Sequence, residues 1–272
     1  MAPKSSVQTN GFHKSSNQQP YFWLTIVTAI TVFVSIPSVF VFLRETSLEY
    51  IILIRKSYSH PIADFSMNLL TNIADKYGIS ISFCISQVLL SSHNSQVLLA
   101  SSCLGVSVNI AVKMLIRDAR PYFYSDNYVP VSCDFEYGSP SGHSQAVTSF
   151  FLTLVTLLLR EYNVKKGKTF IYVFTVVYCF FISFTRIFVG LHTLEQILTG
   201  LGLGIIIHLL MAHVFSDYFE RLFKGIETGK TRFINVLTIL YFVLNMWAIG
   251  MYVMIDNYLP TPQFWLDTIA KS

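Results

Sequence analysis

Long apolar stretches alternate with short polar connections along this chain. Residues 21–43 and 233–255 are each 23 residues without an Asp, Glu, Lys or Arg, and a helix needs about 20 apolar residues to cross a bilayer. Residues 77–112 also lack all four residue types, a run too long for one crossing. The polar cluster Ser91-Ser92-His93-Asn94-Ser95 divides it into two short helices. Residues 144–159, 170–185 and 194–212 complete a set of seven predicted spans. Segment 62–76 carries Ile62, Phe65, Met67, Leu69, Leu70 and Ile73, and either lies along the membrane or leads into the second span. Residues 214–232 have an amphipathic pattern that fits a helix on the cytosolic leaflet and a solvated connecting helix equally well. There is no internal repeat and no separate soluble domain.

Composition agrees with the pattern. Hydrophobic residues make up 53% of the chain and charged residues 12%, about half the charge of a soluble domain. That excludes an ordinary cytosolic enzyme and a disordered chain. A net charge of +4 is too small to suggest nucleic-acid binding. Cys84, Cys103 and Cys179 lie in apolar stretches and Cys133 in a polar one, without metal spacing or a disulfide framework. The first apolar run is longer than a signal-peptide core and follows 20 polar residues, so it reads as a retained signal anchor. Seven spans place Lys4, Lys14, Arg160, Lys165, Lys166, Lys168, Arg221, Lys224, Lys230 and Arg232 on one side, which is cytosolic by the positive-inside rule.

Three polar motifs interrupt this pattern. Lys113, Arg117 and Arg120 are spaced i, i+4, i+7, which puts three cations on one face of a helix end, and Pro121 stops that helix at Arg120. Taken alone, they fit snorkelling basic side chains as well as an anion site. Gly138-Ser139-Pro140-Ser141-Gly142-His143 directly precedes an apolar run. A helix starting near Ser141 would offer free N–H groups and the positive end of its dipole to an anion. Thr185-Arg186 ends the fifth span and His192 opens the sixth, with Thr193 and Gln196 spaced as a capping box. Spans alternate direction, so the ends near residues 120, 143, 186 and 192 all fall on the non-cytosolic side. Cations at 113, 120 and 186, with the Ser141 and Gly142 amides, suit a tetrahedral dianion. Two histidines beside it supply a nucleophile and an acid.

In this order K-x6-RP, PSGH and R-x5-H resemble the three-part signature of the type 2 phosphatidic-acid phosphatase and vanadium haloperoxidase superfamily. The resemblance covers roughly residues 63–213. It implies an all-α, polytopic membrane helix bundle of about seven spans with a six-helix phosphatase core. It also implies a phosphohistidine formed on His192, with His143 protonating the leaving oxygen and no metal or other cofactor. Lys113, Arg120 and Arg186 would neutralise the phosphoryl oxygens, and Ser141 and Gly142 would donate further hydrogen bonds. Two positions depart from the usual pattern. Thr185 stands where Ser is common, and Gln196 stands where an aspartate usually orients the nucleophile; Glu195 is a neighbouring substitute. Glucose-6-phosphatase-like members also carry Gln there, and share the Arg120-Pro121-Tyr122-Phe123 and Gly138–His143 strings. If Gln196 orients His192, Gln196→Asp is expected to preserve or raise activity.

The expected organisation is a disordered cytosolic tail at 1–20, an extra transmembrane helix at 21–43 and a phosphatase-like core at 63–213. A cytosolic amphipathic connector at 214–232 and a C-terminal transmembrane helix and tail at 233–272 follow. The expected function is an integral membrane phosphatase acting on a phosphomonoester, with a lipid phosphate favoured. Sugar-phosphatase, polyprenyl-diphosphatase and non-catalytic lipid-binding readings stand as alternatives. The resemblance suggests the endoplasmic reticulum, with a lumenal site, membrane lipids around it and no nucleic-acid partner; oligomeric state is open. Tyr122, Phe123, Tyr124, Tyr128 and Phe135 read either as a lid or as interfacial anchors. Asp118, Asp126, Asp134 and Glu136 read as scattered loop acids without ligand spacing, and His208 as a polar contact in the bundle core.

Overall fold

The computed structural model describes residues 43–73 and 77–228 except 124, 126, 133 and 135, together with scattered positions nearer the two ends. The predicted tail at 1–20 and most of the first and last predicted spans lie outside the described residues, as do Cys133, Tyr124 and Phe135.

The described chain is all helix and connection. Residues 43–58 are helical (α1). α2 (Pro61–Asn72) starts at a proline, with the His60 ring accepting from the Ile62 N–H at 3.3 Å. α3 (Gly78–Leu89) and α4 (Ser92–Ile116) follow, then α5 (Gly142–Glu161), α6 (Lys168–Phe188) and α7 (Leu194–Leu209). A π turn at Leu210–Val214 leads into α8 (Ser216–Glu227), the strongly amphipathic segment of the sequence pattern.

Four segments are long and apolar enough to cross a bilayer: Ser92–Phe123, Gly142–Glu161, Lys168–Phe188 and Leu194–Val214. The break at Ser91 is present, but the polar cluster joins α4 rather than ending it. α3 keeps only 12 residues, about 18 Å of helix against a hydrocarbon core of about 30 Å. Lipid-facing side chains are visible on α6, where Phe170, Phe174, Val177, Phe181 and Phe184 are exposed.

α5 is the central helix, packed on α7, α6 and α4. The α5–α7 approach depends on two glycines one turn apart. A Cβ on Gly200 would lie 2.5 Å from the Ser141 carbonyl oxygen, and one on Gly204 would lie 2.8 Å from that of Gln145. Small residues at i, i+4 let backbones approach where lipid supplies no hydrophobic drive. Inside the bundle Thr153 Oγ1 meets His208 Nδ1 at 3.3 Å, the core contact expected of His208. α1 and α2 are tied to the same end of the bundle by Arg55, whose guanidinium pairs with Asp64 at 2.6 Å and donates to Val129 O and Phe188 O. That pairing holds the Asp64 carboxyl below its ordinary range.

Among the described aromatic residues of the 117–141 connection, Tyr122, Phe123 and Tyr128 form neither a lid nor an interfacial belt. Tyr122, Phe123 and Tyr128 are buried in one apolar cluster with Ile51, Ile187, Val189, Leu191, Ile197 and Leu201. The Tyr122 hydroxyl donates to Asp134 O at 2.7 Å, and that of Tyr128 donates to Gly190 O at 3.0 Å. They pin the connection over the ends of α6 and α7.

Candidate active site

The first motif is built differently from its spacing. α4 ends at Ile116, and Arg117 takes a left-handed conformation (φ 51°) as its C-cap. Lys113, Arg117 and Arg120 therefore do not share a helix face. The αL residue turns the chain back, Arg117 goes to the Tyr137 hydroxyl at 3.1 Å, and Arg120 enters the site from the connection. Lys113 and Arg120 are both buried.

α5 starts as the sequence predicts, with Ser141 as N-cap. The Ser141 N–H is already committed to the Gln196 carbonyl oxygen at 3.0 Å, and the hydroxyl oxygen accepts from the Ser144 hydroxyl at 3.1 Å. Ser141 is thus a brace between α5 and α7, and its backbone N–H is not available to an anion. Gly142 and His143 open the helix, so their N–H groups have no intrahelical acceptor. Gly142 lies against α4: a Cβ there would sit 3.3 Å from Asn109 Oδ1 and 4.0 Å from Lys113 Nζ.

Arg186, in the last turn of α6, and His192, between α6 and α7, are 3% and 1% exposed. Thr185 does not face the site; its hydroxyl donates to Ile182 O and meets that of Thr71 in α2. Arg120 donates from Nε to Glu136 O at 2.8 Å and from one terminal nitrogen to Leu191 O at 3.3 Å and His192 Nε2 at 3.2 Å. A guanidinium cannot accept a hydrogen bond. Nε2 must then carry the lone pair and Nδ1 the proton, and Nδ1 sits 3.2 Å from Gln196 Oε1. This fixes the tautomer. Burial, first, and the charges of Arg120, Arg186, Lys113 and His143 push the His192 pKa well below the usual histidine range. His192 is thus a neutral imidazole with its free nitrogen among cations.

Gln196 also accepts from the Thr193 N–H at 3.3 Å, the backbone half of the predicted capping box. Its Nε2 donates to Asp118 Oδ2 at 2.6 Å and to Ala119 O at 2.8 Å. Asp118 pairs in turn with Arg44. A Cβ on Gly138 would collide with the Gln196 side-chain amide, which would have to shift. Glu195 does not take over the orienting role: it is fully buried, and neither carboxylate oxygen has a hydrogen-bond partner among the described residues.

Asp118, Asp134 and Glu136 are not scattered, and Asp126 lies outside the described residues. Asp134 Oδ2 lies 3.1 Å from both Arg120 and Arg186, and Glu136 pairs with Lys113. Two partly or largely exposed carboxylates thus stand where the three buried cations would meet an incoming anion. No group of His, Cys, Asp and Glu among the described residues has metal-site geometry.

The all-α bundle thus brings a buried histidine and three buried cations together beside the N-terminus of α5. Residues 95–220, the segment carrying all three motifs, match the model of the PAP2 superfamily. Glucose-6-phosphatase catalytic subunit 1 of Felis catus is 26% identical over 181 residues, 59% of this chain and 47% of that protein. Dolichyldiphosphatase 1 of Dictyostelium discoideum is 26% identical over 141 residues, 49% of this chain and 57% of that one. The chain thus spans about half the length of these curated relatives. The transmembrane PAP2-type phosphatidylglycerolphosphate phosphatase of Bacillus subtilis superposes with a TM-score of 0.59 at 17% identity, covering 69% of this chain and 93% of that one. That likeness establishes a shared fold.

Proposed function

We propose that this chain is an integral-membrane phosphatase that hydrolyses a phosphomonoester, with a lipid phosphate favoured, through a phosphohistidine. The observation that carries the reading is the His192 lone pair, held toward Arg120 among buried cations. His192 Nε2 attacks phosphorus while Lys113, Arg120 and Arg186 neutralise the equatorial oxygens, with Arg forks suited to bidentate contact and Lys113 acting as a point charge. The bond from phosphorus to the leaving oxygen breaks, and that oxygen takes a proton from His143 in the first turn of α5. The Gly142 N–H and the Ser141 hydroxyl lie beside the same anion. His143 then accepts a proton from water as the water attacks the phosphohistidine, which releases inorganic phosphate and restores His192. Three cations supply the charge that a metal supplies in other phosphatases, and the resemblance implies none here. Asp134 and Glu136 act as place-holding counter-ions that the substrate phosphate displaces.

Gln196 positions His192, and Asp118 acts through Gln196. This arrangement lets a neutral residue stand where the family usually has an aspartate: the carboxylate is one hydrogen bond further away. The site opens on the extracytoplasmic side, lumenal if the protein resides in the endoplasmic reticulum. A sugar phosphate is the second reading, favoured by Gln196 and by the similarity to glucose-6-phosphatase catalytic subunits.

The test is phosphate release by detergent-purified protein in excess EDTA. Phosphatidate, sphingosine 1-phosphate, a polyprenyl diphosphate and glucose 6-phosphate are offered in parallel. Release that disappears in His192→Ala, with trapping of a phosphoenzyme in the parent, is expected. Turnover retained by that variant removes His192 as nucleophile.

A further inference from the structure

A cavity of about 390 Å³ lies beside the phosphate-binding cations, between α3, α4 and α5. Its lining runs from Glu136 and Gly142, at the site, past Asn109, Gln145 and Gly105 to Val106 and Ile110. Asn109 precedes Lys113 by one helical turn, and Gln145 follows Gly142 by three residues. The two amides therefore stand on the walls of the cavity directly inward from the cations. Val106 and Ile110 are 59% and 52% exposed on the outer face of α4, so the far end of the cavity reaches the apolar exterior of the bundle.

Two donors in this cavity lack a partner among the described residues. Asn109 is 8% exposed and Gln145 2%, and neither Asn109 Nδ2 nor Gln145 Nε2 has a hydrogen-bond partner there. A buried amide left unpaired costs about 1–3 kcal/mol, so buried polar groups are nearly always satisfied. Leu at either position would fill the same helix–helix seam at no such cost. A Cβ on Gly105 would come within 2.9 Å of Gln145 Nε2, so glycine there leaves the approach to that amide clear. The rest of the wall combines the apolar Ile79, Ala146 and Phe150 with Ser80, Ser102 and Ser149.

We infer that this cavity is the subsite for the leaving group of a lipid phosphomonoester, in which Asn109 and Gln145 donate hydrogen bonds to acceptor oxygens adjoining the phosphoester and the chain leaves past Val106 and Ile110. The inference rests on the phosphatase reading and narrows its substrate class. A glycerolipid with ester oxygens near the phosphate matches both amides and the apolar exit. An alkyl phosphate has the chain without the acceptors, and a free sugar phosphate has the acceptors without the chain.

The experiment measures kcat/KM of the full-length protein in detergent for dioctanoyl phosphatidate, dodecyl phosphate and glucose 6-phosphate. The parent protein and the separate variants Asn109→Leu and Gln145→Leu are compared, each replacing an amide by an apolar group of similar size. The parent should favour phosphatidate. Each variant should lower phosphatidate turnover about tenfold, the worth of one well-placed hydrogen bond, and leave that of dodecyl phosphate nearly unchanged. Equal losses on both lipids, or no loss on either, overturn the inference while the phosphatase reading stands. A selective loss on glucose 6-phosphate also overturns it, by making the acceptor a sugar hydroxyl. Each variant decides alone if the other fails to fold, and a parent that prefers dodecyl phosphate overturns the inference without any variant. Absence of release from every substrate by well-folded parent protein overturns the phosphatase reading instead.

Discussion

The relay from His192 through Gln196 to Asp118 makes a quantitative prediction. In the proposed mechanism the imidazole ring becomes positive as the phosphohistidine forms, which would strengthen its Nδ1–H bond to Gln196 Oε1. A neutral amide would answer weakly, but this one donates at 2.6 Å to a carboxylate, which polarises it. Asp118→Asn keeps the shape and an acceptor oxygen but turns a charge-assisted bond into a neutral one. Charge-assisted bonds contribute about 1.5–3 kcal/mol and neutral ones about 0.5–1.5. The expected loss is about 1–2 kcal/mol of transition-state stabilisation, or about 5–30-fold in the rate of phosphoenzyme formation. Folding should tolerate the change, because the Arg44 side chain that faces the lost charge is 40% exposed and can be hydrated. The assay is single-turnover phosphoenzyme formation, with KM measured alongside. Asp118 acts only through Gln196, so in a Gln196→Leu background Asp118→Asn should cost nothing further. Independent, additive losses would refute the relay, as would an Asp118→Asn variant with full rate. The same geometry reverses the expectation for Gln196→Asp. A carboxylate at 196 would face that of Asp118 across the position of this hydrogen bond, and like charges there repel. Gln196→Asp alone should be impaired, and adding Asp118→Asn should recover activity.

Four further outcomes follow from the site and the bundle. The His192 pKa is depressed, so the neutral nucleophile persists as pH falls through 6.5; the acid limb of kcat/KM assigned to it should lie below the ordinary histidine range, and a limb at 6.5 that vanishes with no other group altered contradicts this. The same depression means the folded protein binds fewer protons than the unfolded chain below about pH 6.5, so stability from this residue is complete above that pH and is lost as pH falls, as acid-dependent thermal melts in detergent will show. Asp134→Asn removes the carboxylate shared by Arg120 and Arg186, and because that side chain is 39% exposed the competing interaction is screened; KM should fall about two- to fivefold with little change in kcat. Gly204→Ala places a methyl group 2.8 Å from Gln145 O and Thr148 Cβ, which should destabilise the protein by about 1–3 kcal/mol in a thermal melt while Gly250→Ala, with open space around it, does not.

The helices were legible because lipid imposes a length and an apolar composition on anything that crosses it. That Lys113, Arg120, Arg186 and His192 come together was legible because the three motifs are compact in sequence. What spacing could not reveal was Arg117 in the left-handed region, since the i, i+4, i+7 pattern assumes an unbroken helix and a single αL residue cancels it. The buried aromatics were missed for a related reason. Tyr and Phe in a polar connection fit interface or lid by composition, and only tertiary packing puts Tyr122 and Tyr128 beneath the connection with their hydroxyls on backbone groups. Asp118 was discounted with the other loop acids, although it lies inside the first motif, two residues before Arg120. Its partner, Gln196, is 78 residues away, a separation that no local pattern carries.

The loop acids tie these points together. Three cations buried at 6% exposure or less would be costly without counter-charge. Asp134 and Glu136 supply it from a mobile-solvent edge, at 39% and 73% side-chain exposure. Asp118 instead is 3% exposed and braced by Arg44, Gln196 and the connection itself. Exposure separates their roles. A carboxylate that must yield to substrate has to be able to return to water, and one that polarises the nucleophile's partner through every turnover must stay where it is. On this argument, exchanging Asp134 for Asn changes how tightly phosphate is held, whereas exchanging Asp118 for Asn changes how fast it is transferred.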